Sequence, residues 1–192
     1  MLKISTRLQG KGDQLRDSFK TMKIVPFRKL NEVQKKLIFE AGKVLENAYD
    51  PYSQFYVGAA LLTKKGNVFA GTNINICAYG GICAERSAIC QMVNNREYNI
   101  EIISIIAKSE YFKVKIHSGP CGICRQMLWE FAELNKNNIE ILISDSDRKK
   151  VLITSIQELH PLGFGPRLYA GKYRKYLGKY VKTFQKEKGI DC

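Results

Sequence analysis

Two short segments constrain this chain more than anything else in it. Cys83-Ala84-Glu85 is followed, 35 residues after the glutamate, by Pro120-Cys121-Gly122-Ile123-Cys124. Together they supply three soft metal ligands and one carboxylate that is not needed as a ligand. A catalytic zinc takes three protein ligands and keeps its fourth position for water, whose pKa falls to near neutrality. A carboxylate beside that water can move protons between it and a leaving group. A structural zinc would close with four protein ligands, and Cys77 and Cys90 flank Cys83 as candidates for the fourth. The proline before the CxxC and the glutamate two residues after Cys83 favour the catalytic arrangement. Any fold of this chain must bring the two segments together.

The rest of the sequence has room to build such a fold. At 192 residues, 45% of them hydrophobic, the chain is expected to form one domain with appendages. It has no run of about 18 uncharged apolar residues, so no membrane partner is expected. Met1–Arg7 lacks the apolar stretch of a secretory signal. Six cysteines without secretory context suggest a reducing compartment and metal ligation, hence a cytoplasmic protein. Cys90 reads as a small buried side chain. The net charge of +13 is uneven: +6 in residues 1–29, +1 in 30–166 and +6 in 167–192. A nearly neutral centre with basic ends suits contact with a polyanion, although charged tails also serve solubility alone.

Asn31 with Gln34 has the form of a capping box that opens a helix running to about Tyr49. Val33, Leu37, Ala41, Val44, Leu45 and Ala48 would share its buried stripe, and Asp50-Pro51 would end it. Residues 55–63 and 68–72 read as a hairpin around Lys64-Lys65-Gly66-Asn67. The isoleucine-rich runs 102–107 and 139–143 read as strands covered on both faces. Helices are expected over about 84–94 and 121–134. Cys83, Cys121 and Cys124 then sit at helix starts, where unpaired N–H groups and the macrodipole favour thiolates. Three thiolates on a divalent zinc leave a negative site, and Arg86 is placed to offset it by donating to ligand sulfurs.

Several motifs, in order, resemble those of one family. Residues 48–60, Ala-Tyr-Asp-Pro-Tyr-Ser-Gln-Phe-Tyr-Val-Gly-Ala-Ala, are similar to the AYxPYSxFxVGAA segment of cytidine deaminases. Gly71-Thr72-Asn73, Ala78-Tyr79-Gly80, Cys83-Ala84-Glu85-Arg86-Ser87-Ala88 and Pro120 to Gln126 continue the match. Glu158 to Pro166 resembles the family's closing ELLPxxFGP. The resemblance covers about residues 30–168, flanked by basic extensions at 1–29 and 169–192. It is to the short, three-cysteine, homotetrameric branch.

The resemblance implies an α/β fold, a three-layer α/β/α sandwich with a mixed sheet of about five strands. It implies one Zn2+ per subunit on Cys83, Cys121 and Cys124, with Glu85 moving protons as water adds to C4 of the cytosine ring. It places Phe55 against the base, Asn73 at the ribose 3′-hydroxyl and the backbone around Ala84 at the base amide edge. Phe164 matches a phenylalanine that reaches a neighbouring subunit's site, so a homo-oligomer is expected. His117 and His160 read as hydrogen-bonded or exposed residues, not ligands. The expected reaction is deamination of cytidine or deoxycytidine in pyrimidine salvage, with a small-molecule nucleoside as substrate.

Substrate identity is where the sequence departs from the pattern. The family's Asn-x-Glu-Asn is here Asn73-Ile74-Asn75-Ile76, and one residue fewer than expected separates Tyr79 from Cys83. Losing the acceptor for a buried hydroxyl costs on the order of 1–3 kcal/mol, ten- to a hundredfold in binding. Asn75 could still accept through its amide oxygen, and a missing carboxylate would ease entry of a phosphorylated or longer substrate. Tyr173, Tyr176, Leu177, Tyr180, Val181 and Phe184 recur at helical spacing among lysines and arginines. Such a basic amphipathic helix suits docking on protein, or stacking and phosphate contacts with single-stranded nucleic acid. The alternatives are therefore a cytosine deaminase acting on single-stranded RNA or DNA, a deaminase of another aminopyrimidine nucleoside such as blasticidin S, and a nonenzymatic nucleic-acid module with structural zinc.

Overall fold

The computed structural model describes residues 22–78, 80–115, 118–165, 183, 186 and 187. In chain order the elements are β1 (Lys23–Pro26), a 3-10 turn (Phe27–Lys29), α1 (Glu32–Leu45), β2 (Phe55–Thr63), β3 (Val68–Thr72), β4 (Ile74–Asn75), β5 (Gly81–Ile82), α2 (Ala84–Asn94), β6 (Ile100–Ser109), α3 (Gly122–Leu134), β7 (Glu140–Ser144), β8 (Lys150–Ser155) and α4 (Ile156–Leu159). Six strands form one sheet in the order β1-β8-β7-β6-β2-β3, and β4 pairs with β5 in a separate ribbon. β6 pairs with β7 in parallel, whereas every other pair in the sheet is antiparallel.

That parallel pair sets the position of the chemistry. Parallel neighbours cannot be joined by a tight turn and need a crossover, which α3 provides. The N-terminus of α3, with the CxxC, therefore lies just past the C-terminal end of β6. α2 makes the corresponding return from β3 to β6, with Cys83 at its start.

Alternation along the strands explains the three layers. Ala59, Leu61, Ile103, Ile105, Ile141 and Ile143 point to the face covered by α2 and α3, where they pack with Ala88, Ile89, Met92 and Leu128. Ala60 and Ile106 point the other way, against Leu37, Ala41 and Leu45 of α1. A strand covered on both faces has no polar face to present, which is why β6 carries five isoleucines in ten residues. α2 lies close on the edge strand: a Cβ at Gly71 would stand 2.4 Å from the Ala88 nitrogen, so glycine is required there.

The sandwich expected from the sequence is present, with six strands in its main sheet instead of about five. β1 supplies the edge strand, pairing Lys23 to Pro26 with Ile153 to Lys150, inside the segment read as an N-terminal extension. β8 and the capping box of Ser155 and Glu158 that opens α4 also went unread. The box at Asn31 and Gln34 is formed, and Gln34 is buried as well, donating to Glu140 at 2.9 Å and tying α1 to β7. Within α1 the buried face includes Ile38, whereas Val33 is 48% exposed. The helix also ends at Leu45, four residues early. Tyr49 leaves it to bridge Ile74, exchanging backbone bonds with Asn73 and Asn75. The aromatic stripe of residues 173–184 lies outside the described residues.

Candidate active site

Cys83 is the N-cap of α2 and Cys121 the N-cap of α3, with Cys124 on the first turn of α3. Their sulfurs all lie within 4.8 Å of one another, with Cys83 to Cys121 at 3.6 Å and Cys121 to Cys124 at 3.4 Å. Zn–S bonds of about 2.3 Å in tetrahedral geometry put sulfurs about 3.8 Å apart, so the three fit one zinc with a position to spare. Burial raises the Cys83 thiol and raises the Cys124 thiol strongly. Burial also pushes Cys121 upward, but N–H groups of Cys124 and Ile123 and the neighbouring thiols outweigh it, leaving Cys121 below the ordinary thiol value. The helix start thus stabilises the N-cap thiolate through its free amides. Cys77 and Cys90 are both exposed and neither joins the cluster, so Cys90 is not the buried side chain expected of it.

Glu85 lies one residue inside α2 and is only 4% exposed. Burial holds its carboxyl above the usual carboxylate range, against the opposing hydrogen bond with Cys124 and the charge of Arg86. A desolvated carboxyl with a raised pKa is suited to exchanging protons near neutrality. Arg86 donates from Nη2 to the Gly81 carbonyl at 2.9 Å and lies 3.9 Å from the Cys83 sulfur. The hydrogen bond to Cys83 raises the guanidinium's pKa, so the cation is held against the sulfur cluster.

A cavity of about 500 Å3 opens over the cluster. Cys83, Ala84, Glu85, Cys121, Ser118 and Gly119 line one end, and Phe55, Val57, Asn73, Asn75 and Gly81 the other. The sequence-derived set of Glu85, Cys83, Cys121, Ala84, Phe55, Asn73 and Asn75 thus shares one cavity, with Cys124 in the sulfur cluster beside it. Phe164 is not on that cavity; its ring is 55% exposed and its carbonyl accepts from Gln126. His160 contacts Gln126 at 3.1 Å and lies outside the sulfur cluster, while Tyr79 and His117 lie outside the described residues.

Two residues at the site escaped the sequence reading. Phe112, in the loop from β6 to α3, sets its ring 6.2 Å from that of Phe55 at a 33° tilt. Asp50, read as a helix stop, is buried behind Asn73 and Asn75 and accepts from both amides. The only sequence sign of it was a charged residue at a motif position where none is specified.

A family model described as the cytidine and deoxycytidylate deaminase zinc-binding region matches residues 31–137. A cytidine deaminase of Sporosarcina psychrophila is 41% identical over 97 residues, half of this chain and 68% of that protein. One from Mycoplasma genitalium is 35% identical over 130 residues, 67% of this chain and 92% of that protein. Among solved structures, a cytidine deaminase from Burkholderia pseudomallei superposes with a TM-score of 0.59 at 32% identity. That match covers 70% of this chain and all of the other.

Proposed function

The chain belongs to the cytidine and deoxycytidylate deaminase family, and from that premise we propose that it hydrolyses cytidine or deoxycytidine to uridine or deoxyuridine and ammonia. The observation that carries this reading is the three-sulfur cluster set beside a buried glutamate on one cavity. Cys83, Cys121 and Cys124 would hold the zinc, whose contribution when bound is a water acidic enough to act as a nucleophile near neutral pH. Glu85 would take one proton from the attacking water and deliver it to N3, then carry the second, from the hydroxyl now on C4, to the departing amine, so that C4=O forms as ammonia leaves. Arg86 offsets the negative charge of the thiolates. Phe55 packs on the base, the backbone around Ala84 contacts its amide edge, and Asn73 and Asn75 face the sugar.

We assign the deaminase domain to residues 30–168, with β1 joined to it, between the basic extensions. A homo-oligomer, a tetramer by family likeness, is supported by the exposed Ile123, Leu162 and Phe164, with Phe164 completing a neighbour's site. A cytoplasmic role in pyrimidine salvage agrees with free thiols and a nucleoside-sized cavity.

The test is uridine production from cytidine by zinc-loaded protein, with Glu85→Ala as the blank. Turnover that requires both zinc and Glu85 is the expected result. A folded, zinc-loaded protein inactive on cytidine and deoxycytidine would overturn the reading, and blasticidin S and cytosine-containing oligonucleotides in the same panel would then identify the substrate.

A further inference from the structure

The carboxylate missing from position 75 has a counterpart one layer back. Asp50 is 4% exposed and does not line the cavity. Its Oδ1 accepts from the Ser53 N–H at 3.1 Å and from Asn75 Nδ2 at 3.2 Å. Its Oδ2 accepts from the Ser53 hydroxyl and, at 3.5 Å, from Asn73 Nδ2. With donors on both oxygens and no place on the cavity wall, the carboxylate is engaged within the protein and is not presented to a substrate.

Its effect on the two asparagines is specific. An ionised carboxylate only accepts, so each amide must turn its NH2 toward Asp50 and its oxygen away. Asn73 is pinned further, with Nδ2 donating to the Phe55 carbonyl at 3.0 Å and Oδ1 accepting from the Val57 N–H at 2.8 Å. One lone pair of that oxygen is left over. Asn75 Oδ1 takes no hydrogen bond among the described residues and lies against Gly81, where a Cβ would stand 3.3 Å from it.

We propose that Asp50 is a positioning residue that makes this cavity select cytosine nucleosides with free sugar hydroxyls. It does so by locking Asn75 with its acceptor oxygen toward the sugar, beside an Asn73 amide that the β2 backbone already holds. The inference rests on the nucleoside reading above and deepens it. A neutral, oriented pair of acceptors does for the hydroxyl what a carboxylate would do directly, without placing a charge in the cavity. If Asp50 is replaced by asparagine, the amide at 75 is free to flip and present its NH2 to the sugar.

The experiment compares wild type and Asp50→Asn on cytidine and on 2′,3′-dideoxycytidine, which lacks both hydroxyls. The KM for cytidine should rise on the order of tenfold, with kcat changed less than about threefold. The KM for the dideoxy substrate should barely move, so that the preference between the two falls about tenfold. An equal loss on both substrates would reduce Asp50 to a support for the Ser53 turn and overturn the proposal, as would an unchanged preference. Should Asp50→Asn fail to fold, Asn75→Leu, which leaves the Ser53 turn intact, carries the test. A retained preference then shows that the amide held by Asp50 does not serve the hydroxyl and overturns the proposal. Wild-type protein inactive on both nucleosides would remove the underlying reading, before any variant is compared.

Discussion

The two ends of the cavity are built by different means. At the sulfur end each ligand belongs to a helix start that the sheet fixes in place: α3 is the crossover of the parallel pair and α2 packs on β3 through Gly71. Three sulfurs converge there because the backbone leaves them no other arrangement. At the other end Asn73 and Asn75 sit where β3 passes into the short ribbon; both amides donate to Asp50, and Asn73 is held as well by the Phe55 carbonyl and the Val57 N–H. The first end is specified by backbone, so losing one sulfur should be all-or-none. The second is specified by an amide network and should respond in degrees. On the proposed reading, chemistry is thereby separated from substrate choice within a single cavity.

The sharpest way to break that contrast is at the sulfur end. Cys124→Ala should cut zinc from one per chain to well below that, and essentially all turnover should go with it. Zinc content and rate on the same sample check this together. A variant retaining both would mean that the cluster of three is not the metal site. Next in size is Glu85→Gln, expected to lower kcat by about 10²–10⁴ while zinc content and melting temperature stay near wild type. Zinc loss in that variant would instead make Glu85 part of the metal's support.

The sequence exposed these two ends unequally, for the same physical reason. Ligand spacing is written into the chain: Cys121 and Cys124 are one helical turn apart, and Cys83 immediately precedes its helix, so local order suffices to read them. The sheet was readable where periodicity was strong, as in the isoleucines of β6. It was not readable at β1, a four-residue edge strand with little buried surface to mark it. Asp50 was missed because its meaning is entirely tertiary. Its amide partners lie 23 and 25 residues away, and it reaches them only because Tyr49 leaves the helix to bridge Ile74. Nothing in the local pattern of residues 45–51 announces that departure.

The Asp50 network can be sharpened by acid. Burial pushes this carboxyl upward, but hydrogen bonds from the Ser53 hydroxyl and N–H, the Asn75 amide and the Phe55 N–H outweigh it, holding it below its ordinary 3.8. A folded-state pKa below the unfolded one adds stability that is complete above the unfolded value and is lost as pH falls through the folded one. The stability advantage of wild type over Asp50→Asn should therefore be constant from pH 7 to about 5 and shrink below about 4. Urea midpoints of the two proteins measured side by side check this, since acid release of zinc affects both alike. An advantage that grows toward low pH would mean that Asp50 is not held as the anion, and the orientation of the Asn75 amide would lose its cause.

Phe112 offers the smallest effect and tests whether two ends describe the cavity completely. It belongs to neither, standing on the loop from β6 to α3 with its ring against Phe55 and 60% exposed. An aromatic pair is worth about 0.5–1.5 kcal/mol beyond burial, and an exposed, tilted one belongs at the low end. Phe112→Ala should raise the KM for cytidine and for 2′,3′-dideoxycytidine alike by about two- to threefold, with kcat and zinc content unchanged, because Phe55 would lose a neighbour but keep its place on β2. Matched shifts on the two substrates would assign the contact to the base, which both share. A loss above about tenfold, or one confined to cytidine, would show the loop acting on the sugar as well. Substrate choice would then rest on three structural elements, and the loop would set how tightly the amide network can hold its hydroxyl.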